Sequence, residues 1–323
     1  MHSLFREQLQ SFLYAYKEPM KERGVPLIFD ASKEHQYRKE FFKEDAWEKL
    51  EIAKKMKVGF AVKTNTDYDG ALDRESPCRE KTISFKKNQF LHIHARYSVD
   101  WWIGRHVEKK AKMGFIPTAK RIGKLEKCLD EEGTRLGQSS IWECSPPFTV
   151  VPSTRPIIFV GPAFHGSQIT QLMHTALRSE LTKRMGERVR KFKSDIGRKW
   201  MGRIDYEESE RELKTITALC EDLSIILLEA PHVNTPLDLT GIHLAPIFVQ
   251  IRVSNRSILM RLMNKTGIQN KKTELCGVDL LNSLPRDLFD VIIEEKGLPE
   301  ATKRMCSFLE DYWTATHPTY EDI

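Results

Sequence analysis

One stretch, Val160-Gly161-Pro162-Ala163-Phe164-His165-Gly166-Ser167, constrains the fold more than any other. It joins the apolar run Ile157-Ile158-Phe159-Val160 to a segment carrying Ile169, Leu172, Met173, Ala176, Leu177 and Leu181 at helical spacing. A short apolar run, a turn with glycines at both ends and an amphipathic segment predict strand, loop and helix. Gly161 and Gly166 have the spacing of a Walker phosphate loop. In such a loop a lysine follows the second glycine and reaches the β- and γ-phosphates, and the next hydroxyl holds magnesium. Here Ser167 and Gln168 follow Gly166. His165 precedes that glycine, but an imidazole is mostly uncharged at neutral pH. The loop architecture is kept and its cation is missing, which argues for a binding protein on a kinase-like scaffold.

The chain has 323 residues, 40% of them hydrophobic, enough for one large core or two moderate ones. Its apolar runs, such as Ile225-Ile226-Leu227-Leu228, suit buried strands and are too short to span a bilayer. The N-terminus lacks the pattern of a secretory signal, so a cytoplasmic location is expected. The 6 cysteines are scattered without a CxxC pair and read as reduced, structural thiols. The net charge of +6 is modest. Basic residues cluster from Lys183 to Arg203, but Glu187 and Asp195 interrupt them and acidic residues follow from Asp205 to Glu212. A solvated helix or loop face is expected there, not a nucleic-acid or lipid patch.

Four parts follow from the patterning. Residues 1–57 read as a helical lead-in, with Tyr37, Phe41, Ala46, Trp47, Leu50 and Ala53 forming a narrow apolar stripe that could dock on a neighbouring domain. Residues 58–124 change to strand periodicity, with short runs at Val58-Val62, Ile83-Phe85, Phe90-His94, Trp101-Arg105 and Met113-Pro117, which suggest a small barrel. His92 and His94 alternate with apolar neighbours, and no third ligand has metal-site spacing, so they are expected to face outward and no metal is expected. Residues 125–147 read as a linker that ends in Ser145-Pro146-Pro147. From 148 to 323 strands alternate with helices: helix from Glu207 to Leu223, strand from Ile225, strand Ile247–Val253, helix from Arg256, and a closing helix from Pro299 to Trp313. That order predicts an α/β domain with a mostly parallel sheet.

These segments together resemble a known family, the auxiliary β subunits of voltage-gated calcium channels, relatives of the membrane-associated guanylate kinase scaffolds. The resemblance covers roughly Val58 to Pro318. In the barrel it is carried by Phe60-Ala61-Val62-Lys63-Thr64-Asn65, Asp100-Trp101-Trp102-Ile103-Gly104-Arg105 and Gly114-Phe115-Ile116-Pro117. In the second domain it is carried by Val151-Pro152-Ser153-Thr154-Arg155-Pro156, Leu244-Ala245-Pro246-Ile247, Leu288-Phe289-Asp290-Val291-Ile292 and Tyr312-Trp313-Thr314-Ala315-Thr316-His317-Pro318. The implied fold is an SH3-like barrel followed by a catalytically inactive guanylate-kinase-like α/β domain.

An SH3 surface stacks aromatic side chains on a stiff polyproline helix. The two tyrosines usual in the first strand are replaced within Ala61-Val62-Lys63-Thr64-Asn65, and Lys120 stands where a third is usual. Only Trp101 and Pro117 remain of that groove, so the barrel reads as a structural partner. A guanylate kinase also needs arginines and tyrosines around GMP and an acidic residue after the loop strand to organise magnesium. Glu229 stands at the right strand end, but one carboxylate does not restore a missing cation clamp.

The resemblance implies no enzyme activity and no cofactor. It implies a cytoplasmic subunit held at the plasma membrane through the channel, with no nucleic-acid partner. Its partner would be a helix in the first intracellular linker of the pore-forming α1 subunit, laid into a groove of the kinase-like domain. Such binding would promote surface expression and alter gating. Carried over by position, the groove takes Ile169, Leu172 and Met173 after the loop, Val253, Asn255 and Leu262 from the next strand and helix, and Leu298 and Ala301 from the last helix. On pattern alone, Ile169, Leu172 and Met173 read equally as ordinary core. Lys296 and Thr266 stand where family members place an asparagine and an arginine that bond the partner helix. That change fits a scaffold of the same architecture with a different peptide ligand. An active nucleotide kinase is the third reading.

Overall fold

A computed structural model describes residues 31–131, 146–197 and 206–322. It divides into two compact units, residues 1–151 with 318–323, and residues 152–317.

The first unit opens with helix α1 (Ala31–Lys54) and continues through β1 (Phe60–Thr64), β2 (Phe90–Arg96), β3 (Trp101–His106), β4 (Gly114–Pro117), α2 (Ala119–Glu131) and β5 (Phe148–Val151). The strands form one antiparallel sheet in the order β4-β3-β2-β1-β5, the meander of an SH3-like barrel with its last strand returned to its first. Ile83–Phe85 contributes isolated pairings: Phe85 bridges Tyr68, and the Ile83 N–H donates to the Phe115 carbonyl at 2.9 Å.

Two sequence expectations are corrected here. Phe148–Val151 was placed with the second domain, yet it pairs with β1, Phe148 opposite Thr64 and Val151 opposite Ala61. An apolar tetrapeptide does not reveal which edge it will join when that edge lies over 80 residues upstream. Helix α2 also runs past the expected linker boundary at 125, while 132–145 lie outside the described residues.

His92 and His94 do not face outward: they are 0% and 4% exposed. Helix α1 packs its Ala46, Leu50 and Ala53 into the same core as Leu91, Ile93 and Ile103. The apolar stripe of the lead-in therefore docks, as expected, although Tyr37 and Phe41 lie outside the described side chains. His94 donates from Nδ1 to the Met56 carbonyl at 2.9 Å, and burial holds its pKa below the ordinary imidazole value. Trp47, at the rim, lies under the Lys81 ammonium at 4.7 Å.

The second unit contains β6 (Ile157–Val160), α3 (Gln168–Met185), β7 (Val189–Lys193), α4 (Tyr206–Glu221), β8 (Ile225–Glu229), β9 (Ile247–Ile251), α5 (Arg256–Thr266), α6 (Lys271–Asn282), β10 (Val291–Ile293) and α7 (Leu298–Thr316). All pairings are parallel and the order is β10-β9-β6-β8-β7. The expected fold class is borne out: a small antiparallel sheet, then a parallel α/β sheet with a glycine-bounded loop at the end of its central strand.

Strand alternation sorts the core. Ile157 and Phe159 pack with Leu177, Leu181, Met305 and Leu309 on one face, while Ile158 and Val160 pack with Ile216 and Cys220 on the other. The basic stretch forms the end of α3 and the edge strand β7, on which Arg190, Lys191 and Lys193 are exposed. Charged side chains suit an unpaired edge. The part of that stretch from 198 to 205 lies outside the described residues.

Candidate functional site

The loop between β6 and α3 is built as its glycines require. Gly161 has φ of +80°, and a Cβ there would stand 2.5 Å from the Ile251 carbonyl oxygen, so the chain needs glycine twice over. Gly166 has φ of +94° in open space. Ser167 caps α3, its Oγ accepting from the Thr170 N–H at 3.3 Å. The residue at the position of the missing lysine is thus a helix cap, and Gln168 stands where the magnesium hydroxyl would follow.

A working phosphate loop turns its backbone N–H groups toward the ligand. Here several of them are taken by the protein itself. The Ala163 N–H donates to Thr170 Oγ1 at 3.0 Å and the His165 N–H to Asn234 Oδ1 at 2.7 Å. At the start of α3, where a phosphate would meet the helix dipole, stands the carboxylate of Glu274 from α6. It accepts from the Gln168 N–H at 3.0 Å and from the Ser167 hydroxyl, and the residue is 8% exposed. Helix α6 approaches so closely that a Cβ on Gly277 would lie 3.2 Å from Ala163 Cβ.

His165 does not replace the missing lysine. Burial holds its pKa below the ordinary value, and Arg178 adds to that, so the ring is neutral at pH 7. His174, fully buried, is pushed down to about 3 by burial first and then by His165 and Arg178. Its Nε2 donates to the Gly161 carbonyl at 2.6 Å and so props the loop from beneath. The Arg178 guanidinium pairs with Glu229 at 3.4 Å. The cation of this neighbourhood and the carboxylate expected for magnesium neutralise each other. Among the described residues no cluster of three His, Cys, Asp or Glu side chains could hold a metal ion.

The first unit repeats this arrangement with the charges reversed. Asp73, 1% exposed, accepts from Arg121 Nε at 3.0 Å, also from Arg121 Nη2, and from the Tyr68 hydroxyl at 3.1 Å. Arg121 further reaches Glu75. Burial disfavours the Asp73 carboxylate, but Arg121 and the Glu75 N–H outweigh it and hold the pKa below the usual carboxylate range. Trp101, the aromatic residue left over from a peptide groove, is only 4% exposed and belongs to the core.

The groove positions fall into three groups. Ile169 is buried in a small cluster with Ala163, Leu259, Met263, Ile268, Leu275 and Val278, so it is core and not groove surface. Leu172 and Leu298 are exposed, at 39% and 41%, while Met173, Val253, Leu262 and Ala301 are half-buried. Met173 packs against this small cluster and also against the core of α3 and α7, which places it at their junction. Asn255 caps α5, its Oδ1 accepting from the Ser257 N–H at 2.9 Å. Thr266 is exposed and its hydroxyl donates to the Leu262 carbonyl at 2.8 Å, and Lys296 is exposed. A separate cleft of about 700 Å3 lies between β10 and α7, lined by Val291, Ile292, Glu295, Lys303, Arg304 and Phe308 among others, and includes none of the groove positions.

Sequence reasoning did not find Glu274, Thr170, Asn234, Arg178 or the Asp73–Arg121 pair. Thr170 and Arg178 lie inside the recognised helix, but their partners are not marked by it. Glu274 lies 107 residues from Ser167 and no short motif announces it.

No protein-family model matches the chain. Among curated proteins, Protein PALS2 of Homo sapiens is 35% identical over 57 residues, 18% of this chain and 11% of that protein. Protein PALS2 of Mus musculus is 35% identical over 57 residues, with 18% and 10% covered. The match therefore spans about a tenth of the length of these relatives. Among solved structures, the apo SH3-kinase fragment of tight junction protein 3 is similar at 14% identity and a TM-score of 0.35, over 79% of this chain and 96% of that one. An uncharacterized protein from Eubacterium ventriosum is similar at 12% identity and a TM-score of 0.31, over 49% of this chain and 99% of that one. The fold assignment rests on the strand order and pairing given above.

Proposed function

We propose that the protein is a non-catalytic binding subunit in which an SH3-like barrel and a guanylate-kinase-like domain serve recognition of a helical peptide. The observation that carries this reading is Glu274, whose carboxylate takes the bonds at the start of α3 that a phosphate would need. A kinase requires a cation on its loop; this loop has a cap, a neutral imidazole and an internal anion instead.

The finer reading is a cytoplasmic auxiliary β subunit of a voltage-gated calcium channel. It would bind the interaction helix in the first intracellular linker of the pore-forming subunit and so affect surface expression and gating. Support comes from the segments of family resemblance and from the half-exposed apolar set Leu172, Met173, Val253, Leu262, Leu298 and Ala301. Two exposed leucines flanked by half-buried aliphatic residues suit anchors of an amphipathic helix, and Met173 adds an adaptable surface. Among the described residues no helix is long and apolar enough to cross a membrane, so membrane association would run through the partner.

One observation favours a second reading, a scaffold with another peptide ligand. The Thr266 hydroxyl is engaged within its own helix, and Lys296 presents a cation where a neutral amide would serve the usual helix. Calorimetric titration with the linker-helix peptide decides between them. Saturable binding that Leu172→Asp and Met173→Asp each weaken at least about tenfold supports the channel reading. Absence of binding at high micromolar peptide leaves the scaffold reading.

A further inference from the structure

We infer that Glu274 is a positioning residue: its carboxylate latches the α5–α6 helix pair to the start of α3 and thereby sets the width of the peptide groove. The part of this inference that concerns the groove rests on the reading proposed above; the latch itself does not.

The packing supports a latch. The apolar contacts of helices α5 and α6 lie mostly outside the two main core clusters, with Met173 bridging to one of them. Leu259, Met263, Ile268, Leu275 and Val278 form a cluster of their own, closed on the other side by Ala163 and Ile169. The hairpin is therefore a satellite body resting on the loop and the first turn of α3. Small clusters of this kind open locally at lower cost than the main core.

The two ends of α6 are held differently. At its C-terminal end, Gln250 Nε2 donates to the Leu281 carbonyl at 3.1 Å and Arg252 donates to the Asn282 carbonyl at 2.8 Å, both from β9 or the residue after it. At its N-terminal end the polar attachment to α3 is Glu274, bonded to Ser167 and to the Gln168 N–H. Gly277, one turn along, permits the close approach to Ala163. Loss of the carboxylate would free the N-terminal end and leave the C-terminal end tied to the sheet.

The groove depends on that spacing. Leu262 stands on the hairpin, Val253 on the link from β9 to it and Met173 on α3, and all three pack partly on this same satellite cluster. A shift of the hairpin away from α3 changes the separation of these anchors without altering any of them.

Hydrogen exchange on the full chain tests the latch, comparing wild type with Glu274→Ala and Glu274→Gln. Glu274→Ala should raise exchange about tenfold or more in residues 256–275 and leave residues 278–282 and the strands near wild type. Glu274→Gln should keep exchange close to wild type, because its carbonyl accepts from the Gln168 N–H and its amide donates to Ser167. Wild-type exchange in Glu274→Ala, or loosening spread evenly over the second unit, would overturn the latch. Should Glu274→Ala fail to fold, the glutamine variant decides, since its loosening like a lost contact would equally overturn it. In parallel, affinity for the linker-helix peptide should fall about tenfold in Glu274→Ala and recover in Glu274→Gln. A peptide that wild type does not bind at all refutes the groove reading, and the exchange result still decides the latch.

Discussion

The carboxylate of Glu274 and the hydroxyl of Ser167, 107 residues apart in the chain, are hydrogen-bonded at the mouth of the loop that follows β6. In the first unit Arg121 stands in the corresponding relation to Asp73, 48 residues upstream. In each unit a charged side chain of the protein itself fills a position of opposite polarity: a helix N-terminus in one, an acidic loop in the other. Both positions are satisfied from within.

Removal of Arg121 tests the second of these pairs. Asp73 is 1% exposed, so Arg121→Ala would leave a buried carboxylate unpaired. The expected loss is about 3–5 kcal/mol in urea unfolding, far beyond that of a surface ion pair. A loss below about 1 kcal/mol would mean that water reaches Asp73.

Acid should weaken the second unit through His174. Its folded-state pKa is depressed to about 3, below the ordinary value near 6.5 of the unfolded chain. The unfolded state therefore binds the proton first, so the contribution is whole above pH 6.5 and is lost as pH falls from there toward 3. The slope is about 1.4 kcal/mol per pH unit for one such group. His165 is shifted in the same direction and adds to it. Chemical unfolding at several pH values should give a shallower acid slope for His174→Gln than for wild type.

Gly161→Ala should destabilise by roughly 1–3 kcal/mol from backbone strain alone, since φ is +80°. The new Cβ would also press on the Ile251 carbonyl oxygen, which must move. Thermal unfolding checks this, and Gly166→Ala, strained but in open space, should cost less.

Restoring the lysine should not restore the kinase. In Ser167→Lys the new ammonium would lie beside Glu274 and pair with it, and the cap of α3 would be lost. The variant should show no saturable ATP binding by calorimetry. Tight ATP binding by this single variant would mean that Glu274 moves aside freely.

The elements around the loop were legible because their signals are local. Gly161, Gly166 and the apolar run before them specify a strand and a turn, and Ile169, Leu177 and Leu181 specify the buried face of a helix. Helix α6 was not read: Gly277 sits inside it and its apolar residues Leu275, Val278 and Leu281 form only a short stripe. The polarity of β2 was misread because alternation marks the apolar positions without showing whether the intervening polar ones, here His92 and His94, are buried as well. Phe148–Val151 was assigned to the wrong sheet because strand pairing is decided by distant residues. Ile169 was offered as groove surface although its side chain is fully buried. Helical spacing marks the apolar face without saying whether a partner or the protein's own core covers it. Glu274 was invisible for the same reason as the strand pairing, since its partner lies in another element.

The most direct measurement is a calorimetric titration of wild-type protein with magnesium-ATP, alone and with GMP present. A loop whose Ala163 and His165 N–H groups and helix end are already bonded to Thr170, Asn234 and Glu274 should give no saturable heat at millimolar nucleotide and no phosphoryl transfer. Saturable ATP binding with GMP-dependent turnover would contradict the account at its root.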